Sequence, residues 1–405
     1  MAPRIARENS NRIGNPIGSK LKKTRSTFPF RPGEAPAINV HHGRQRVPCT
    51  LPPFSHIEQP SMKNARVIIT AHGGPGVLKL IEEDVAEPRA GEVRLKVLAT
   101  GVAFADVLMR YGMYPNMPPL PFSPGYDVVG VIDKPGDTVS PFTVGERVAA
   151  LTMTGGYSQY LCVPTRELTR VPDGVDPAEA VSLVLNYMTA HQLIHRIADL
   201  EPGQSVLVHG AAGGVGTAAL ELGTLIGLKM YGTASPSKHD LVTALGGIPI
   251  DYKTDDFVKP VLQRTGGTGV DAVFDAVGGK NWWRSYKTLR PGGKEPGGKL
   301  IGYGMSSVID QGKPNKVAGA ASFALLGLLG FLPDGKSARW YSITTEKKIH
   351  PEWFPEDLAH LLGLLADKQI HPRISQRLPL GEAQRANDLI EHAGVTGEIV
   401  LLPQE

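Results

Sequence analysis

From Arg66 onward the chain breaks into short apolar runs separated by turn residues: Val67-Ile68-Ile69-Thr70, Val93-Arg94-Leu95-Lys96-Val97-Leu98 and Val128-Val129-Gly130-Val131-Ile132. In the second run apolar and polar positions alternate, and successive strand side chains point to opposite faces, so a half-buried strand is predicted. Gly145-Glu146-Arg147-Val148-Ala149-Ala150 and the run from Tyr157 to Val163 continue the pattern. Together they predict a small, twisted, largely antiparallel β domain.

After about Asp176 the rhythm changes to helical stretches alternating with short buried strands, the signature of a parallel sheet with helical crossovers. The predicted strands are Ser205-Val206-Leu207-Val208-His209, Lys229-Met230-Tyr231-Gly232-Thr233, Ala272-Val273-Phe274-Asp275 and Lys299-Leu300-Ile301-Gly302. This is an α/β, doubly wound parallel sheet. Helical patterns return at 358–367 and 381–392, followed by a strand at 398–402, and this tail is expected to fold back on the first domain. Residues 317–332 carry no charge. They fall short of the roughly 20 apolar residues a membrane span needs, so a buried or pocket-facing helix is the plain expectation. A peripheral membrane contact or an apolar subunit interface is the other.

The length of 405 residues suits two domains with a cleft between them. The net charge of +4 is uneven, because residues 1–61 hold 10 Lys and Arg against 3 Asp and Glu, leaving a slightly acidic remainder. No basic face for nucleic acid is indicated. The proline-rich opening segment has neither a signal-peptide core nor an amphipathic targeting pattern, so residues 1–61 read as a disordered basic leader. A cytoplasmic protein is expected, with organelle targeting by the leader as the alternative. Cys49 and Cys162 are the only cysteines; they exclude a disulfide framework and a cysteine zinc cluster.

The chemistry concentrates at Ala211-Ala212-Gly213-Gly214-Val215-Gly216, a glycine-rich turn after a predicted strand and before a predicted helix. That context is the one in which a dinucleotide's diphosphate sits over a helix N-terminus. Gly213 lets the backbone approach the diphosphate, and Gly216 lets the helix pack on the strand. The next strand ends in Thr233-Ala234-Ser235-Pro236-Ser237-Lys238, with no carboxylate where an NAD enzyme accepts a ribose hydroxyl. Ser235 can donate a hydrogen bond and Lys238 a charge to a 2′-phosphate, so NADPH is the expected cofactor.

Residues from about 63 to 403 resemble the quinone oxidoreductase and zeta-crystallin branch of the zinc-free medium-chain dehydrogenase/reductase superfamily. The resemblance lies in Gly101-Val102-Ala103-Phe104-Ala105-Asp106, Pro124-Gly125-Tyr126-Asp127-Val128-Val129-Gly130, Gly156-Tyr157-Ser158-Gln159-Tyr160, the glycine turn, and the run Asp271 to Gly279. It implies a GroES-like twisted β catalytic domain at 62–186, completed by 345–405, and an NADPH-binding Rossmann domain at 187–344. It further implies that Tyr252 lies by the 2′-phosphate, that Asn186 and Thr189 approach the nicotinamide ribose or carboxamide, and that Gly302-Tyr303-Gly304 passes close to the nicotinamide. A homodimer formed through an edge strand is implied as well. Zinc-dependent relatives have a cysteine at Ala103 and a histidine at Tyr126, so no catalytic zinc is expected.

Without a Lewis acid, the acceptor must spread the charge that arrives with a hydride, as quinones and α,β-unsaturated carbonyls do. The expected substrate is therefore a small hydrophobic quinone or enone. Tyr114 matches a family tyrosine beside the substrate and is the leading polar contact or proton donor; Asp106 and Asp127 read as structural, and Asp275 as a loop organiser. The family's asparagine and tyrosine are replaced by Ala103 and Leu108. Two alternatives stand beside this reading: an enoyl-thioester reductase, and a non-enzymatic, membrane-associated NADPH-binding protein.

Overall fold

The computed structural model describes residues 62–138, 141–253, 256–310 and 312–404. The expected leader lies outside these residues. Strands β1 (Lys63–Ile69) and β2 (Leu78–Asp84) form an antiparallel ribbon. They are followed by β3 (Glu92–Val102), β4 (Asp127–Pro135), β5 (Arg147–Leu151), β6 (Tyr160–Pro164) and β7 (Thr169–Arg170). Alternate residues of β3, Val93, Leu95 and Val97, bury fully against Val128, Ile132, Val148, Ala150 and Val163. Each such burial stabilises the fold by roughly 1.5–3 kcal/mol, which fixes the register of this sheet.

The second half supplies β8 (Ser205–His209), β9 (Lys229–Ala234), β10 (Ile248–Asp251), β11 (Ala272–Asp275) and β12 (Lys299–Gly302). A short antiparallel pair, β13 (Ile309–Asp310) and β14 (Lys313–Pro314), precedes β15 (Ser337–Trp340). Six of these strands form an all-parallel sheet in the order β10-β9-β8-β11-β12-β15. This is the doubly wound order, reversing between β8 and β11. All five residues of β8 are buried, as expected of a strand covered by helices on both faces.

The chain ends with β16 (Ile374–Pro379) and β17 (Glu398–Leu402), which return to the first sheet and give it the order β16-β17-β3-β4-β5-β7, with β6 also on β3. The β16–β17 pair is parallel and the other pairings of this sheet are antiparallel, in keeping with the largely antiparallel expectation. The helical segment from Pro177 to Ile197 packs between the sheets; its Val181, Val184, Leu193 and Ile194 join a core that also holds Val129 and Val208.

The apolar run forms the helix Lys316–Gly330, but it is not the buried helix that its composition predicts. Only Gly319, Ser322, Leu326 and Leu329 are buried, while Val317, Leu328 and Phe331 are 80%, 68% and 88% exposed. A helix apolar all round can bury only the side facing a neighbour. Here that side faces β15 and the helix Lys280–Lys287. Among the described residues no helix is long and apolar enough to cross a membrane.

Candidate active site

The register of the parallel sheet aligns the C-terminal ends of its strands. His209 lies opposite Thr233, Ala234 opposite Asp251, and Asp275 opposite Gly302. The glycine turn, Ser235, Tyr252, the loop after Asp275 and Tyr303 therefore leave the sheet at one edge, where open α/β sheets bind their ligands.

At the centre of that edge Gly213 caps the helix Gly214–Leu225 with extended backbone and no side chain. The first-turn N–H groups are presented together with the positive end of the helix dipole, a cradle for an anion. A Cβ on Gly216 would overlap the Gly210 carbonyl oxygen and lie 2.7 Å from Ala211 Cα, so only glycine permits this closeness of strand and helix. A Cβ on Gly214 would lie 2.7 Å from Asn186 Nδ2; Asn186 thus sits directly on the turn. Ala211 and Ala212 are buried, and the Ala212 carbonyl accepts a 2.8 Å hydrogen bond from Gly397 N–H. A backbone cradle with free donors and no side-chain obstruction fits a dinucleotide diphosphate.

At the end of β9, Ser235 Oγ is 3.4 Å from Ser237 Oγ, and Lys238 Nζ donates to the carbonyls of Ala393 (2.8 Å) and Val395 (2.6 Å). The tail thereby holds the ammonium in place. Burial, then the charge of Lys253, lower the Lys238 pKa. Lys253 is a second cation here that the sequence reading passed over, and it adjoins Tyr252, which is half exposed. Two ammonium groups close enough to repel each other make a favourable place for a phosphate.

At the other end of the edge, the Thr189 hydroxyl lies near that of Tyr341 and favours its charged form, while the Tyr341 hydroxyl donates to Gln192 Oε1 at 2.8 Å. Tyr341 follows β15, so Thr189 lies beside the sheet. Tyr303 N–H donates to the Asp275 carbonyl at 3.0 Å, and burial raises its phenol pKa. Tyr114 comes from the β half: its hydroxyl lies 2.6 Å from that of Tyr126, with the rings edge to face. Thr344, just beyond Tyr341 and 3.0 Å from Ser342 through their hydroxyls, lies near Tyr126 and favours its charged form. Burial raises both phenol pKa values, so both stay protonated across the physiological range.

The loop bearing Tyr114 is anchored by Arg110, which is fully buried and donates to Asn387 Oδ1 (3.0 Å), the Gly73 carbonyl (2.8 Å) and Glu391 Oε2 (2.7 Å). Tyr111 donates to the other Glu391 oxygen at 2.7 Å. Asp106 accepts from the backbone N–H groups of Ala103 and Gly125 and from the Tyr157 hydroxyl. Burial raises its pKa to about 6, but its oxygens are spent on holding these loops. Asp275 accepts from the N–H groups of Val277 and Gly278 and from Asn281 and Ser285, which is the work of a loop organiser. Tyr126, Tyr341, Thr344 and Glu391 were not among the expected site residues. Tyr126 lies in a motif already singled out, while the others meet the site only through tertiary contact.

Among the described residues no three His, Cys, Asp or Glu side chains are grouped to hold a metal ion. An alcohol dehydrogenase GroES-like domain model matches residues 89–173, and a zinc-binding dehydrogenase model matches residues 247–401. The synaptic vesicle membrane protein VAT-1 homolog of Rattus norvegicus is 33% identical, with 83% of each chain covered. The quinone oxidoreductase of Pseudomonas aeruginosa is 32% identical over 84% of this chain and 99% of its own. The crystal structure of Escherichia coli quinone oxidoreductase complexed with NADPH superposes with a TM-score of 0.73 at 28% identity, covering 84% of this chain and all 100% of that one. Identity of this extent across a relative's whole length places the chain in its family: it belongs to the zinc-independent quinone oxidoreductase branch of the medium-chain dehydrogenase/reductase superfamily, an oxidoreductase family.

Proposed function

We propose that this protein is an NADPH-dependent reductase of quinones or α,β-unsaturated carbonyls, with a GroES-like catalytic domain at 62–186, completed by 345–405, a cofactor-binding domain at 187–344, and a site drawn from both. The observation that carries the reading is the pair of phenol hydroxyls, Tyr114 and Tyr126, 2.6 Å apart. The turn at Ala211–Gly216 holds the diphosphate, Ser235, Lys238 and Tyr252 the 2′-phosphate, and Asn186, Thr189 and Tyr303 the nicotinamide end. NADPH, when bound, supplies a hydride. With the Tyr126 hydrogen pointing to Tyr114, the Tyr114 hydrogen is free for the acceptor's oxygen. A neutral donor placed where negative charge develops is what a conjugated acceptor requires.

Purified protein mixed with NADPH and, in parallel, a benzoquinone, a conjugated enone and an enoyl thioester tests the reading. Cofactor oxidation is expected with the first two. Tight NADPH binding without turnover of any acceptor would favour a binding protein instead.

A second reading, a peripheral membrane contact in addition to catalysis, is favoured by the exposed Val317 and Leu328 on one helix and Phe331 at its C-cap. Flotation with neutral phospholipid vesicles should carry the protein upward and should fail for Leu328→Ser with Phe331→Ser. We also read the edge strand β15 as the seat of a homodimer; a monomer mass by light scattering would contradict that.

A further inference from the structure

Two carboxyl groups meet behind the cofactor turn. Asp127 at the start of β4 and Glu398 at the start of β17 are 1% and 3% exposed, and both face the Cα of Gly101 on the intervening β3. A Cβ there would lie 2.8 Å from Asp127 Oδ1 and would overlap Glu398 Oε1, so glycine opens the space they share. The charges acting on Asp127 are those of Glu398 and then Asp106, both acidic. Arg110, on the far side of Asp106, is committed to Glu391. The phenol of Tyr157 donates to Asp106, and that of Tyr187 donates to Glu221. Two like charges buried together cannot both persist, so one carboxyl retains a proton.

The hydrogen bonds say which one. Asp127 Oδ1 accepts Gly101 N–H at 2.9 Å, while Oδ2 is buried with no donor; that is the oxygen left for the proton. Glu398 instead accepts from the Ser182 hydroxyl, and the nearby Asn186 amide favours its charged form, so Glu398 takes the negative charge. Asn186 rests on Gly214, and Gly397, next to Glu398, holds the Ala212 carbonyl. The carboxyl pair therefore reaches the cofactor turn through two short links.

We propose that Asp127 and Glu398 share a proton and act as a positioning pair for Asn186, so that NADPH binding releases a proton from this pair. The proposal rests on the reading that Asn186 contacts the cofactor. Ionised Glu398 holds the Asn186 amide N–H by a charge-assisted bond and leaves its carbonyl free, whereas protonated Glu398 offers a hydrogen that competes for that carbonyl. Burial raises the Glu398 pKa to about 7. The ionised, binding-competent form accordingly gains population as pH rises through neutrality, and affinity rises with it.

Calorimetric titration of NADPH into the wild type and the variants Glu398→Gln, Asp127→Asn and Asn186→Ala, at pH 6, 7 and 8 and in buffers of different ionisation enthalpy, tests this. Wild-type affinity should tighten about tenfold from pH 6 to pH 8, with proton release near pH 7. Glu398→Gln should lose both the pH dependence and the proton release. Asp127→Asn, which keeps an uncharged side chain where the protonated carboxyl stands, should leave the dependence near its wild-type pH. If Asn186→Ala binds NADPH as tightly as the wild type, the cofactor reading at Asn186 fails and the proposal with it. If Asn186→Ala weakens binding while Glu398→Gln keeps the wild-type pH profile, or if the wild type takes up protons, the pair's role alone is overturned.

Discussion

The two ends of the site are built in different ways. The cofactor end is a backbone construction: the turn at Ala211–Gly216 presents N–H groups, and its side chains matter mainly by being absent. The acceptor end is a side-chain construction, in which the hydroxyls of Tyr114 and Tyr126 from separate segments are hydrogen-bonded and Thr344 lies nearby. A backbone cradle tolerates few residue types and suits a constant ligand. A set of side chains can be altered one residue at a time, and it suits a variable substrate.

This difference orders the effects of mutation. Gly216→Val should be the most damaging, because the new side chain has to displace the Gly210 carbonyl. Such overpacking costs about 1–3 kcal/mol or more, and NADPH fluorescence enhancement should vanish; retained binding would mean the turn is not the cradle. Tyr114→Phe should leave NADPH affinity intact and lower kcat about tenfold to a hundredfold. An unchanged kcat would reduce Tyr114 to packing. Lys238→Ala should have the smallest effect, weakening NADPH by about tenfold, the worth of one charged hydrogen bond, while leaving NADH unaffected. An unchanged preference between the two cofactors would remove Lys238 from cofactor choice.

The same division governs what could be read from the sequence. The strands β8, β9, β11 and β12 and the glycine turn were legible because local rules, continuous burial and steric exclusion at glycine, act on neighbouring residues. The acceptor end was legible only at Tyr114. Its partners are set by contacts between segments far apart in the chain: Arg110 and Tyr111 meet Glu391 across some 280 positions. Glu398 reads from sequence as an ordinary strand-start residue, and only the pairing of β17 with β3 places it against Asp127. The helix Lys316–Gly330 misled in the opposite direction, since apolar composition predicts burial but says nothing about whether a neighbour exists to provide it.

The central claim, direct hydride transfer to a conjugated acceptor beside Tyr114, is tested most directly by isotope transfer. With NADPH deuterated at C4 and a conjugated enone as acceptor, the product should carry one deuterium at its β-carbon and none at the α-carbon, which takes its proton from the protein or solvent. Cofactor oxidation without deuterium in the product, or no oxidation at all, would contradict the account.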